Sequence, residues 1–252
     1  MEVTIVSWNV DGNVKEVLEV EEVASAEVLC FQETKTKEAF GAEGWPYGQW
    51  NTFKDTLGRG RSEHGVVTWS KRHVGGGAPT AEVASGRVVV TLHDGKYAII
   101  NIYGYTTGKL ASKNLPEAVG DAFREKRASQ IKLFQSLVLE KIRILLKDAK
   151  IPVILVGDFN ATFKKHEAFF QDLNDLGMTC VSPDKDTYKN KEKGYTARVD
   201  FLFLSPELHN RLQICEVLSH RAAYSDHAPI RCRLDLRNMR TAFRPRGEEE
   251  DH

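Results

Sequence analysis

Eight side chains able to hold a metal ion or a phosphate stand where apolar, strand-like runs of the chain stop. The run from Val3 to Trp8 ends at Asn9-Val10-Asp11-Gly12, and Glu27 to Phe31 ends at Gln32-Glu33-Thr34-Lys35. Pro152 to Val156 leads into Gly157-Asp158-Phe159-Asn160, Val199 to Leu204 holds Asp200, and Ser225-Asp226-His227 precedes a closing strand. Hydrolysis of a phosphodiester needs an activated water, a cation against the phosphate charge and an in-line arrangement. Glu33 with Asp11 or Asp226 suits Mg²⁺, which takes one or two carboxylates plus water and substrate oxygens. A further carboxylate can orient or deprotonate water, and a histidine held by a buried aspartate can donate to a non-bridging oxygen.

Each residue also has a plainer reading. Asp158 reads equally as a turn acid, Ser225-Asp226-His227 as a cap or turn, and Asn9 as a helix cap. Asp200 is harder to dismiss. It lies between Val199 and Phe201, and an unpaired buried carboxylate is very costly, so it needs a partner such as His227. The donors are oxygen and nitrogen, which points to a hard cation, Mg²⁺ or Mn²⁺.

Other chemistries do not assemble. There is no Gly-x-Ser-x-Gly elbow, and Gly75-Gly76-Gly77 lacks the Lys-Ser/Thr of a phosphate loop. His64, His73 and His93 are isolated and expected at the surface. The four cysteines show no Cys-x-x-Cys spacing, and the expectation is reduced thiols in an intracellular protein, cytoplasmic or nuclear. No signal peptide and no membrane-length apolar window is evident.

The elements that must position these residues follow from periodicity. Apolar, β-branched runs predict strands at residues 3–8, 27–31, 65–70, 87–92, 97–103, 152–156, 199–204 and 230–236. Ile131, Phe134, Val138, Ile142 and Leu145 form one helical stripe within 123–147. Shorter helices are expected after Gly12, over 166–176 with Gly177 as its stop, and from Ser205-Pro206. Segments 52–62 and 110–121 read as loops. The expectation is one domain over 1–236, a monomer, followed by a charged, proline-broken tail over 237–252. Of 252 residues, 41% are apolar, and Lys plus Arg (35) equals Asp plus Glu (35). A nucleic-acid partner would therefore need local basic patches. Arg59 and Arg61, Lys71 and Arg72, and the lysine-rich hairpin Lys189, Lys191 and Lys193 are the candidates.

Taken together, Trp8-Asn9-Val10-Asp11-Gly12, Gln32-Glu33-Thr34-Lys35, Gly157-Asp158-Phe159-Asn160, Arg198-Val199-Asp200-Phe201 and Ser225-Asp226-His227 resemble the successive signatures of the exonuclease–endonuclease–phosphatase superfamily. The first two are most similar to its exonuclease III and apurinic-endonuclease branch. The resemblance implies a four-layer α/β sandwich, two packed mixed sheets flanked by helices. It implies Glu33 as principal metal ligand with Asp11 and Asp226 nearby and Asn9 in the surrounding network. It makes Asp158 the group that activates water, Asn160 a contact to phosphate or water, and Asp200 and His227 a pair facing the phosphate. Tyr103 resembles the phosphate-touching tyrosine, with Tyr105 as a rival. The implied reaction is cutting of duplex DNA, at abasic sites or as a nick, leaving 3′-OH and 5′-phosphate. Two features differ from the repair branch. Ala197 stands where a tryptophan is usual, leaving Tyr195 as the local aromatic and Phe163, Phe169 or Phe170 as substitutes, and the stretch from Asn160 to Asp200 is short. The segment Thr187 to Asp200, with its short lysine-rich hairpin, and Asn101-Ile102-Tyr103-Gly104 are similar to endonucleases of non-LTR retrotransposons. A phosphatase acting on a small or lipid ester and an inert binding module are the other readings.

Overall fold

The computed structural model describes residues 1–35, 44–54, 63–75, 86–106, 117–190, 193–219 and 223–239. In chain order the elements are β1 (Glu2–Asn9), α1 (Val14–Leu18), α2 (Glu21–Ala24), β2 (Val28–Lys35), β3 (Tyr47–Lys54), β4 (Glu63–Ser70), β5 (Val74–Gly75), β6 (Val88–His93), β7 (Tyr97–Tyr103), α3 (Glu117–Arg143), β8 (Val153–Asp158), α4 (Glu167–Asp175), β9 (Thr179–Cys180), β10 (Tyr188–Lys189), β11 (Thr196–Ala197), β12 (Asp200–Leu204), α5 (Pro206–His209), β13 (Leu212–Val217) and β14 (Ile230–Asp235).

Two six-stranded sheets form, ordered β13-β14-β1-β2-β4-β3 and β5-β6-β7-β8-β12-β9. Each is mixed: β1 and β2 are parallel in the first, β7 and β8 in the second, and the remaining pairings are antiparallel. Side chains alternate faces along a strand, so one strand feeds two cores. Val3, Ile5, Val28 and Cys30 meet Ile99, Ile154, Val156, Leu202 and Leu204 between the sheets. Val6, Trp8, Leu29 and Phe31 face outward onto Val14, Val17 and Val23 of α1 and α2. On the far side Ile100, Leu155, Phe201 and Phe203 pack on Phe134, Val138 and Ile142 of α3 and Phe169 and Phe170 of α4. The order helix, sheet, sheet, helix is the expected four-layer sandwich.

Several expectations shift. Residues 117–121 are helical rather than loop, and Ile131 is only half-buried. Strand β2 runs on to Lys35, and β3 and β13 carry too little alternation to be read beforehand. His93 is buried, not at the surface. It bonds Thr91 at 2.8 Å and stacks on Tyr97, and burial lowers its pKa to about 3. Met239 packs into the inter-sheet core, so ordered contacts pass residue 236. Residues 240–252 of the expected tail lie outside the described residues.

Candidate active site

The same alternation that fills the inter-sheet core delivers polar side chains at its end. On β1 the inward series Val3, Ile5, Ser7 ends at Asn9, and on β7 Tyr97, Ile99 and Asn101 lead to Tyr103. On β8 Ile154 and Val156 lead to Asp158, and β12 presents Asp200 on the face of Leu202 and Leu204. Register sets these ends side by side, Tyr103 opposite Asp158 and Asp158 opposite Asp200. Below them Gln32 donates to Asn101 Oδ1 at 2.7 Å, and Asn101 donates to the Val67 carbonyl at 2.8 Å. This buried polar link ties the two sheets together under the site.

Glu33 breaks the alternation. Leu29 and Phe31 face the outer helices, so simple pleating would turn Glu33 outward too. A bulge between Gln32 and Thr34, with φ of 56° at Glu33, re-aims it. Its Oε1 accepts from Asn9 Nδ2 at 2.9 Å and from the Tyr103 hydroxyl at 2.5 Å. Burial, followed by the Glu33 and Asp158 charges, holds the Tyr103 phenol well above its usual pKa, so it stays a donor.

Asp158 is 1% exposed and accepts three hydrogen bonds. The geometry fixes both oxygens: Oδ1 takes the Asn160 backbone N–H at 2.8 Å, and Oδ2 takes Asn9 Nδ2 at 3.0 Å and Asn160 Nδ2 at 3.1 Å.

 

Gly157 precedes Asp158 because its φ is +139° and a Cβ there would lie 2.0 Å from the Ile102 carbonyl. Asn160, at φ 49°, also donates to the Gly104 carbonyl at 3.2 Å.

His227 Nδ1 lies 2.8 Å from Asp200 Oδ2, while Nε2 is 3.8 Å from Asp158 and 3.9 Å from Asp226. Ser225 clips this loop to β1, donating to the Asn9 carbonyl at 2.6 Å and accepting the His227 N–H at 3.0 Å. Trp8 Nε1 donates to the His227 carbonyl at 2.9 Å. Burial alone would lower the His227 pKa, but Asp200 and Asp158 together raise it to about 10. Burial raises Asp158 to about 7 against the lowering pull of His227. At neutral pH the imidazole is therefore cationic, wedged between two carboxyl groups.

These groups open into a cleft of about 340 Å³. Asp11, Glu33, Tyr103, Asp158, Asn160, Asp226 and His227 all line it, while Asn9 and Asp200 stand behind. Asp158, Asp200 and His227 are the one cluster, among the described residues, whose ligand-type atoms all lie within 4.8 Å. Asp11, Glu33 and Asp226 share the cleft without closing to that distance. Tyr105 is not at the cleft; its ring meets Phe134. The cleft also takes in Lys165, His166 and Tyr188, which no motif announced. The Tyr188 ring sits 5.0 Å from that of His227. One wall of the cleft is formed by Tyr188, Tyr195, Ala197 and Val199. Phe169 and Phe170 are in the outer core, and Phe163 stacks on Phe170 at 4.2 Å and lines a neighbouring hollow.

Of the basic candidates, Lys189 and Lys193 are exposed on the β10–β11 hairpin beside the cleft. Lys71 and Arg72 follow the end of β4 that pairs with the start of β2, remote from Glu33, and so do not join the site. Arg59, Arg61 and Lys191 lie outside the described residues.

The family model for the endonuclease/exonuclease/phosphatase family matches residues 6–227. The chain belongs to that family. No curated protein matches the chain in sequence. Among solved structures, a variant of the 3′ phosphatase NExo from Neisseria bound to product DNA hairpin is similar at 19% identity and TM-score 0.64, covering 92% of this chain and 99% of that one. An AP endonuclease from Archaeoglobus fulgidus gives 17% and 0.63 with the same coverage. The Xenopus laevis APE2 catalytic domain gives 19% and 0.64, covering 91% and 90%. These likenesses establish the shared fold. Among the described residues, no helix of this family member is long and apolar enough to cross a membrane.

Proposed function

We propose that the protein is a divalent-metal-dependent DNA phosphodiesterase that cuts the backbone of duplex DNA. The observation that carries this reading is Asp158 and His227 facing one cleft 3.8 Å apart, with the other nitrogen of His227 bonded to Asp200. A gap beyond hydrogen-bond reach leaves the carboxylate and the imidazolium both available to a substrate that lies against them in the cleft.

The donor set fits a hard cation. Four carboxylates line the cleft, Asp11, Glu33, Asp158 and Asp226, against Lys165 and His227 as cations. A phosphodiester adds further negative charge, so a counter-cation is required, and oxygen donors select Mg²⁺ or Mn²⁺. Glu33, with Asp11 or Asp226, would hold it. When bound, the ion would neutralise phosphate charge and polarise the phosphorus–oxygen bonds.

The chain's own residues account for the rest. Asp158 accepts a proton from water as the water oxygen bonds to phosphorus. Asn9 and Asn160 fix the Asp158 carboxylate in one orientation. The His227 imidazolium, aligned by Asp200, donates to a non-bridging oxygen where charge develops. The phosphorus–O3′ bond breaks, the leaving 3′ oxygen takes a proton from solvent water, Asp158 returns its proton to solvent, and the products are a 3′-OH and a 5′-phosphate. Tyr103 holds Glu33. Lys189 and Lys193 would meet backbone phosphates beside the cleft.

The small Ala197 side chain offers a bare abasic sugar little apolar surface, so the preference for abasic over intact duplex is weaker than in dedicated repair enzymes and intact duplex is included in the substrate range. This is also the behaviour expected of a retrotransposon-type nicking enzyme. A side-by-side assay on intact, abasic and 3′-recessed duplexes with Mg²⁺ tests the proposal. Nicking of duplex that stops in EDTA supports it. Release of inorganic phosphate from inositol phosphates with no cutting of DNA overturns it in favour of a small-ester phosphatase.

A further inference from the structure

Beside the cleft a second hollow opens between α3 and the segment entering α4. Arg124, Lys132 and Gln135 supply one wall at helical spacing, and Lys164, Lys165 and His166 supply the other. Four of its lining side chains are cationic and Glu167 is the one carboxylate among them. Arg124 also pairs with Asp121 on its own helix. Gln135 bonds His166 across the floor at 3.1 Å, which fixes the two walls relative to each other. Lys165 and His166 line this hollow and the cleft alike. A polyanion whose reacting phosphate lies in the cleft against Asp158 and His227 can therefore continue past Lys165 and His166 into the basic hollow. On a chain with no net charge, such a concentration of cations is the local signature of phosphate binding.

We infer that this groove holds the DNA backbone beyond the scissile phosphate, as a second phosphate-contact surface separate from the β10–β11 hairpin. The inference rests on the DNA-cutting reading, and it adds residues that no motif of the sequence marks. It makes affinity depend on substrate length, because only a strand extending past the cleft reaches Arg124, Lys132 and Lys164.

The test is the triple variant R124A/K132A/K164A, which leaves Lys165 in place. Binding of a labelled duplex is followed by fluorescence anisotropy with Ca²⁺ across a salt series, and cleavage is followed with Mg²⁺. The plot of log Kd against log salt should lose about one unit of slope for each contact removed, up to about three. Hydrolysis of bis(p-nitrophenyl) phosphate, too small to reach the groove, should stay within about twofold of wild type, on the same local-contact argument. The conservative R124K/K132R/K164R variant should restore the slope. An unchanged slope in a folded triple variant overturns the groove while leaving the DNA-cutting reading intact. An equal loss on the small ester also overturns it, because the effect would then be structural. If wild type binds duplex with the groove-dependent slope but never cuts it, the groove stands and the proposed reaction falls.

Discussion

His227 Nδ1 and Asp200 Oδ2 lie 2.8 Å apart, both buried. The aspartate fixes the ring orientation and stabilises its charged form, leaving Nε2 toward the cleft. Asp200→Asn should keep the fold but lower kcat by about 10²–10³, the range for losing an oriented transition-state donor. A kcat within about threefold of wild type in single-turnover assays, far short of that range, would remove Asp200 from the mechanism.

The pH profile should be bell-shaped. Asp158 must be ionised to accept a proton, and its pKa is raised to about 7, so activity climbs through neutrality. His227 must be protonated, and its pKa is raised to about 10, so activity declines only in strong alkali. The alkaline limb should move down in Asp200→Asn, which loses the carboxylate that raises the His227 pKa. Initial rates between pH 5 and 11 in buffers of constant ionic strength check this.

Asp158→Asn should abolish turnover without abolishing DNA binding. It should also stabilise the protein at pH 8. The native pKa of Asp158 lies above its ordinary value of 3.8, so the folded state binds the proton more tightly than the unfolded state does. Its stabilising effect is complete below the unfolded pKa and is lost as pH rises through about 7. An uncharged isostere removes that pH-dependent loss, and calorimetry should show a melting temperature a few degrees higher at pH 8, at roughly 2–4 °C per kcal/mol. A clear fall would show that pairing with His227 outweighs burial.

Chelation with EDTA should stop the reaction, and Mg²⁺ or Mn²⁺ should restore it. Glu33→Gln should require about 10- to 100-fold more Mg²⁺ for half-maximal rate, the scale on which groups around a metal tune affinity. Full activity in excess chelator would contradict the metal assignment.

Ala197→Trp should raise the preference for abasic over intact duplex. An added indole wall is worth about 2–3 kcal/mol when fully buried, which is roughly 30- to 150-fold in discrimination. Rates on matched oligonucleotides measure it, and a wild-type preference above about a thousandfold would mean that Tyr188 and Tyr195 already complete the pocket.

The sequence by itself determined which strand ends carry chemistry. Period-two alternation is a local property, and it already places Asn9, Tyr103, Asp158 and Asp200 on the faces of the inter-sheet core series. The helical stripe of α3 was legible for the same reason, since its buried face repeats within a few residues. Only the tertiary structure decided what meets what. The Asn9 bond to Asp158 spans 149 positions, and no local pattern records it. Glu33 points into the cleft through a bulge, where one extra residue reverses the alternation. Tyr188 joins the wall because its hairpin is tied to Asp226 and Ala228 by backbone hydrogen bonds, which carry no side-chain signature. His93 is buried and stacks on Tyr97 of the neighbouring strand, a fact of packing rather than of sequence.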